Sequence, residues 1–204
     1  MNGIGSIMST QKIILASSSQ TRKDLMDRLR IDYLSIVPNI DESPRGESHA
    51  DDLAKRLAFE KARFIAEQHP DSIVIGSDQV AWREGAPDIF IGKPISSEKA
   101  VKQLQANSDK IVYFSTALSV QHLASGYEQT LVEHYKVKFR KLSLPEIERY
   151  IEVEQPLYCA GSFKCESLGI SLFEEMIGHD QTTLMGMPMI KLCHILRELK
   201  VLVP

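Results

Sequence analysis

The chain has 204 residues, 43% of them hydrophobic and 25% charged, enough apolar content to bury a core and too much to remain a disordered polar chain. A net charge of -3 excludes the strongly basic face that the phosphates of a nucleic acid polymer demand, but not a small anion held by a few cations. No apolar run approaches the roughly 20 residues of a bilayer span, and the opening MNGIGSIMST lacks the basic start and apolar stretch of a secretory signal. The expectation is a cytoplasmic protein with neither membrane nor nucleic acid polymer as partner.

Residues 1–11 are expected to form a flexible extension, because the patterned sequence begins only at Lys12. Ile13 to Ala16 then reads as a strand, Ser17 to Ser19 as a polar turn, and Leu25, Met26 and Leu29 as one face of a helix. Such a turn suits a phosphate, because backbone N–H groups, serine hydroxyls and Arg22 meet the positive end of the helix dipole. It equally suits a serine that simply caps the helix. YLSIV is strand-like as far as Pro38, and NIDESPRGES, with Asp41 beside Glu42, is a polar loop that gains interest only if it folds over a positive charge. Leu53, Leu57, Ala58 and Ile65 mark an amphipathic helix from Asp51 to Gln68, with Lys61 in its middle.

Ile73, Val74 and Ile75 in succession predict a buried strand, and Gly76 is expected to end it, leaving Asp78 at a strand end, where ligands of α/β proteins collect. A turn at REGAPD leads to IFIGKP and Lys93, and SSEKAVKQL opens a serine-capped helix. KIVYFSTALSVQH and QTLVEHYKVKFR, separated by ASGYE, predict a long antiparallel hairpin. Ser143 and Glu146 form a capping box. After the small-residue segment CAGSFKCESLG, ISLF is expected to resume a strand, and GMPMIKLCHILREL to close the chain as a helix with Pro188 near its first turn.

Cys159, Cys165 and Cys193 form no C-x-x-C pair and are read as reduced structural thiols. The adjacent His179 and Asp180 are read as a loop turn ahead of a metal site, Met185, Met187 and Met189 as core packing, and Trp82 as half-buried core ahead of a base-stacking ring. Alternating strands and helices followed by a long hairpin argue mixed α/β, with two lobes around a cleft.

LASSSQTRKDLMDRL, NIDES, RLAFEKA, GSDQV, GKP, CAGSFKCESLGISLF and GMPMIKLCHIL occur in the order and spacing of the Maf family of nucleotide pyrophosphatases, from Lys12 to Leu199. Within it, SDQV and SFKCES resemble the YceF subgroup, which acts on 7-methyl-GTP. The resemblance implies an elongated mixed sheet like that of inosine triphosphate pyrophosphatases, a single domain of two lobes over residues 12–204, and hydrolysis of a nucleoside triphosphate to monophosphate and pyrophosphate with Mg²⁺ or Mn²⁺. It implies Asp78 as the catalytic residue, Ser17, Arg22, Lys61 and Lys93 on the phosphates, and Thr21, Gln79 and Glu166 as specificity positions. Glu42 and Asp78 are expected on the metal. A homodimer is a further expectation. Two alternatives remain beside it: a preference for dTTP or UTP, and a non-catalytic nucleotide-binding regulator of cell-division arrest. Gln20 and Thr21 depart from the family's usual Pro and the subgroup's usual Trp, which removes a stacking surface for the base.

Overall fold

The computed structural model describes residues 11–203. The expected extension over residues 1–11 therefore lies outside the described residues, apart from Gln11. The elements follow in the order β1 (Ile13–Ala16), α1 (Gln20–Asp27), β2 (Leu34–Ile36), α2 (Ala50–Ala66), β3 (Ile73–Arg83), β4 (Ala86–Ile91), α3 (Ser97–Asn107), β5 (Ile111–His122), β6 (Tyr127–Phe139), α4 (Leu144–Glu154), β7 (Phe173–Ile177), α5 (Gln181–Leu184) and α6 (Met189–Glu198).

One mixed sheet runs β2-β1-β3-β5-β6-β7, with β4 on the same edge of β3 as β1. β1 lies parallel to β2 and β3, and the other pairings are antiparallel. The mixed α/β architecture expected from the order of elements is the one observed.

Helix α2 packs on one face of this sheet because its inward stripe is made of small and aliphatic residues. Leu53, Ala54, Leu57 and Ala58 meet Val80 and Ala117, while Ala62, Ile65 and Ala66 meet Ile14, Ala16 and Val74. On the opposite face, Leu25 and Met26 of α1 and Leu192, Ile195 and Leu196 of α6 bury Ile13, Leu15, Ile73 and Ile75. A separate cluster gathers α3, α4 and the edge-to-face rings of Phe114, Phe139, Phe163 and Phe173 around the far end of the sheet.

Two expectations about strands are corrected. Gly76 does not end β3, which runs unbroken to Arg83, so Asp78 lies mid-strand opposite Ala117. Gly76 is required there for another reason: a Cβ would sit 2.4 Å from the Ala58 carbonyl oxygen and 2.8 Å from the Ala62 nitrogen. The glycine lets α2 lie against the sheet. Ile170 to Leu172, expected as strand, belongs to a 3-10 segment, Leu168–Leu172, and β7 begins only at Phe173. Close packing of Gly169 on the Lys164 backbone, 2.3 Å from the carbonyl oxygen to a hypothetical Cβ, holds this stretch in a tight turn.

Candidate active site

Asp78 lies mid-strand on β3, yet beside the ends of two other strands. Along one edge of β3, β1 pairs with Ile73 to Gly76, and β4 pairs with Ala81 to Arg83. Between them Ser77, Asp78, Gln79 and Val80 form a notch in the sheet edge. β1 ends at Ala16 opposite Gly76, and β4 ends at Ile91 opposite Ala81, so the carboxyl ends of both strands point into the notch. Crevices of this kind, outside strand carboxyl ends where neighbouring chain directions diverge, are where α/β sheets bind ligands.

The chain delivers charge to this notch from three directions. Lys61, on the inward side of α2, is buried and places its Nζ 2.6 Å from Asp78 Oδ1. The same Nζ is 3.1 Å from Glu42 Oε1, so the acidic loop does fold over a positive charge. Three further contacts pin that loop on α2: Arg56 donates to Glu47 at 2.5 Å and to the Ser43 carbonyl at 2.9 Å, and Arg45 pairs with Glu60 at 2.6 Å.

After β1, Ser19 caps α1 by accepting from the Arg22 backbone N–H at 3.4 Å, and the Ser17 hydroxyl accepts from the Ser19 N–H at 3.1 Å. Arg22 is half-buried, and its Nε donates to the Gly186 carbonyl at 2.8 Å. Burial pulls the guanidinium pKa below its ordinary value, against the opposing attraction of Asp78 and then Glu42. Thr21 is half-buried one residue earlier in the same turn.

Lys93 is exposed just beyond β4, and Glu166 is exposed in the segment before the 3-10 turn. Both act electrostatically on Cys159, whose thiol pKa is pushed up chiefly by burial. Cys165 donates to Glu166 at 3.5 Å, and burial, with Glu166 adding to it, raises that thiol to about 12. Neither cysteine is a thiolate near neutral pH, in keeping with their structural reading. Gln79 points to the face opposite Asp78, and its amide nitrogen donates to Thr116 Oγ1, the Thr183 carbonyl and the Leu184 carbonyl at 2.9, 2.9 and 3.1 Å. The structure thus brings Glu42, Lys61 and Asp78 into direct contact, with Arg22 in their field, while Lys93 and Glu166 flank Cys159.

Several other candidates resolve into packing. Asp180 caps α5 through the Thr182 N–H at 2.9 Å and also accepts from the Ile190 N–H at 2.9 Å. Met187 and Met189 are core, and Trp82 is half-buried and stacked on Tyr113, centroids 4.1 Å apart. A cavity of about 470 Å³ beside Trp82 and Asp51, and another of about 690 Å³ beside Tyr33 and Leu202, have walls that do not include Asp78.

Glu42 and Asp78 fit a hard cation. Both carboxylates converge on one point, now taken by the Lys61 ammonium. Among the described residues no set of three or more His, Cys, Asp and Glu is arranged to hold a metal. One or two carboxylates completed by water and substrate phosphate oxygens is the usual donor set of Mg²⁺.

The Maf-like protein family model matches residues 12–199. The chain belongs to the Maf family. Within the curated Maf-like relatives, it is 67% identical over 192 residues, 94% of this chain and 97% of the relative, to a protein of Acinetobacter baylyi named nucleoside triphosphate pyrophosphatase. It is 44% identical over 187 residues, 92% of this chain and 93% of the relative, to the 7-methyl-GTP pyrophosphatase of Alcanivorax borkumensis. Among solved structures it is similar to the Staphylococcus aureus Ham1 protein, with a TM-score of 0.45 and 17% identity over 63% of this chain and 72% of that one. No described helix of this Maf chain is long and apolar enough to cross a membrane.

Proposed function

We propose that this chain is a nucleoside triphosphate pyrophosphatase that hydrolyses 7-methyl-GTP or a related modified nucleotide to the monophosphate and pyrophosphate, as house-cleaning of the nucleotide pool. The observation that carries the reading is the contact of Lys61 with Asp78 and Glu42 beside Arg22 in the β3 notch, in a chain of the Maf family.

The chemistry follows from charge. A triphosphate repels an attacking water, and cleavage at the α-phosphorus places further charge on the leaving pyrophosphate, so cations positioned in advance lower the barrier. Arg22 and Lys61 supply that charge at the notch, Lys93 adds a further cation beyond β4, and Ser17 on the first strand's turn adds a neutral hydroxyl donor. Lys61 engages Asp78 through Oδ1, which leaves the second carboxylate oxygen to accept a proton from water. Glu42 and Asp78 would hold a divalent cation, which would supply further charge neutralisation on the phosphates.

Base selection falls to Thr21, Gln79 and Glu166. The Gln79 donors are spent on Thr116, Thr183 and Leu184, so what it offers a base is its carbonyl oxygen. Exposed Glu166 can accept N1–H and the exocyclic amine of guanine together, and a ring made cationic by N7 methylation favours the carboxylate further. Glu166→Gln should therefore lower kcat/KM for 7-methyl-GTP by about 10-fold or more, the scale of one charge-assisted hydrogen bond, and lower that for UTP less. Equal losses on the two substrates would remove Glu166 from base selection.

A further inference from the structure

We infer that Ser77 is a positioning residue that acts through the Gly186 carbonyl to fix the Arg22 guanidinium at the phosphate site. The inference rests on the reading of Arg22 as a phosphate ligand. It starts from the alternation of β3: Asp78 faces α2 and Lys61, so its neighbours Ser77 and Gln79 face the other side of the sheet. There both grip the connection that carries α5 into α6.

Ser77, fully buried, has a single hydroxyl proton to share between two carbonyls in reach, Ala117 at 2.6 Å and Gly186 at 2.9 Å. Gly186 lies just beyond α5 with φ +107, backbone that a side chain rarely adopts, and its carbonyl meets Ser77 on β3. The same oxygen accepts from Arg22 Nε at 2.8 Å. One carbonyl thus joins the residue before Asp78 to an arginine more than 50 positions earlier in the chain. The connection is braced one turn back: Thr116 Oγ1 donates to the Thr183 carbonyl at 2.9 Å, and Gln79 Nε2 reaches the Thr183 and Leu184 carbonyls.

The tether uses one of the five N–H donors of a guanidinium. Arg22 is held at its backbone by the Ser19 cap and at Nε by Gly186, so its terminal nitrogens are fixed in direction before a ligand arrives. A planar fork held in this way loses less freedom on meeting a polyanion than one left to rotate. Because Ser77 and Asp78 are consecutive on one strand, the position of the acid and the direction of the arginine share a single support.

The test is a double-mutant cycle with Ser77→Ala and Arg22→Ala in the full chain, read as affinity for inorganic tripolyphosphate by calorimetry, with thermal melts alongside. A coupled pair in one hydrogen-bond network interacts on a scale that corresponds to about 3- to 100-fold. Ser77→Ala is expected to weaken tripolyphosphate binding within that range and to have no further effect once Arg22 is alanine. Thr116→Val, which removes a brace and keeps the side-chain shape, should weaken binding less and show the same dependence on Arg22, so the inference stays open to refutation if Ser77→Ala does not fold. A role confined to packing would lower the melting temperature and leave the losses additive. Additive losses, or undiminished binding in both variants, would overturn the inference. Turnover of nucleoside triphosphates is a separate readout: its absence in the wild-type chain with the coupling intact would count against the proposed activity and leave the Ser77 assignment standing.

Discussion

Replacing Lys61 by methionine is expected to destabilise the fold as well as the site. Lys61 and Asp78 side chains are only 8% and 11% exposed, and their charged atoms are 2.6 Å apart. Methionine keeps most of the aliphatic stem and removes the ammonium, leaving a carboxylate enclosed on β3 without its contact partner. Breaking a buried pair in this way costs about 3–5 kcal/mol. Arg22 lies in the field of the same carboxylate, which places the expected loss at the lower end, about 3 kcal/mol. For a chain of this size that is a fall in Tm of roughly 6–12 °C. Urea denaturation followed by far-UV circular dichroism measures the loss, provided the slope is unchanged between variants. Adding Asp78→Asn to Lys61→Met removes the stranded charge, and at least 1 kcal/mol should return, since residues in contact couple on that scale. Glu42, 56% exposed in its side chain, can turn to water and contributes little to this balance. A loss below 1 kcal/mol for the single variant, or none recovered in the double, would refute the reasoning that Lys61 and Asp78 form a buried, mutually dependent pair.

Two further outcomes test the supports of the site. Gly76→Ala puts a methyl 2.4 Å from the Ala58 carbonyl and must shift α2, at a cost of about 1–3 kcal/mol. Because α2 carries Lys61, turnover should fall further than stability does, and a variant with wild-type kcat and Tm would contradict the packing described. Glu146 accepts from the Ser143 N–H and hydroxyl at 2.7 Å each, and from Arg140 at 2.8 Å. These bonds lower its carboxyl from 4.5 to about 2. A depressed folded value means that the stabilisation is complete above pH 4.5 and is lost as pH falls toward 2. Protection of the α4 amides, taken relative to their intrinsic exchange rate at each pH, should therefore fall over that interval in the wild-type chain and stay level in Glu146→Gln; parallel protection profiles would remove the carboxylate from the cap.

Much of this framework is legible in the sequence because its signals are local. The apolar run of β1, the inward stripe of α2, the β5–β6 hairpin and the Ser143–Glu146 box each declare themselves within a few residues. Asp78 misled for the same reason. Gly76 looks like punctuation, yet its lack of a side chain serves the passage of α2, and the actual strand ends belong to β1 and β4, which reach the notch from distant parts of the chain. The Leu168–Leu172 turn was equally hidden, since Ile, Leu and Phe suit a strand until Gly169 is found against Lys164. Glu42 is legible in the sequence as a neighbour of Asp41 and as an expected metal position, but its approach to Lys61 depends on a loop closure that no local signal encodes. Ser77 and Gly186 lie inside the family stretches GSDQV and GMPMIKLCHIL and Thr116 in none of them, but nothing local in the sequence announces the carbonyl shared by Ser77 and Arg22.

The central claim is that Asp78, among the cations of the β3 notch, serves hydrolysis of a nucleoside triphosphate between its α- and β-phosphates. The most direct measurement is product analysis of 7-methyl-GTP turnover with Mg²⁺ by wild type and by Asp78→Asn, with the fold of each checked by circular dichroism. The account predicts monophosphate and pyrophosphate in equal amounts from the wild type, and a kcat lower by about 10²- to 10⁴-fold when the carboxylate is lost. Orthophosphate as the product, or an Asp78→Asn variant that turns over like the wild type, would contradict it.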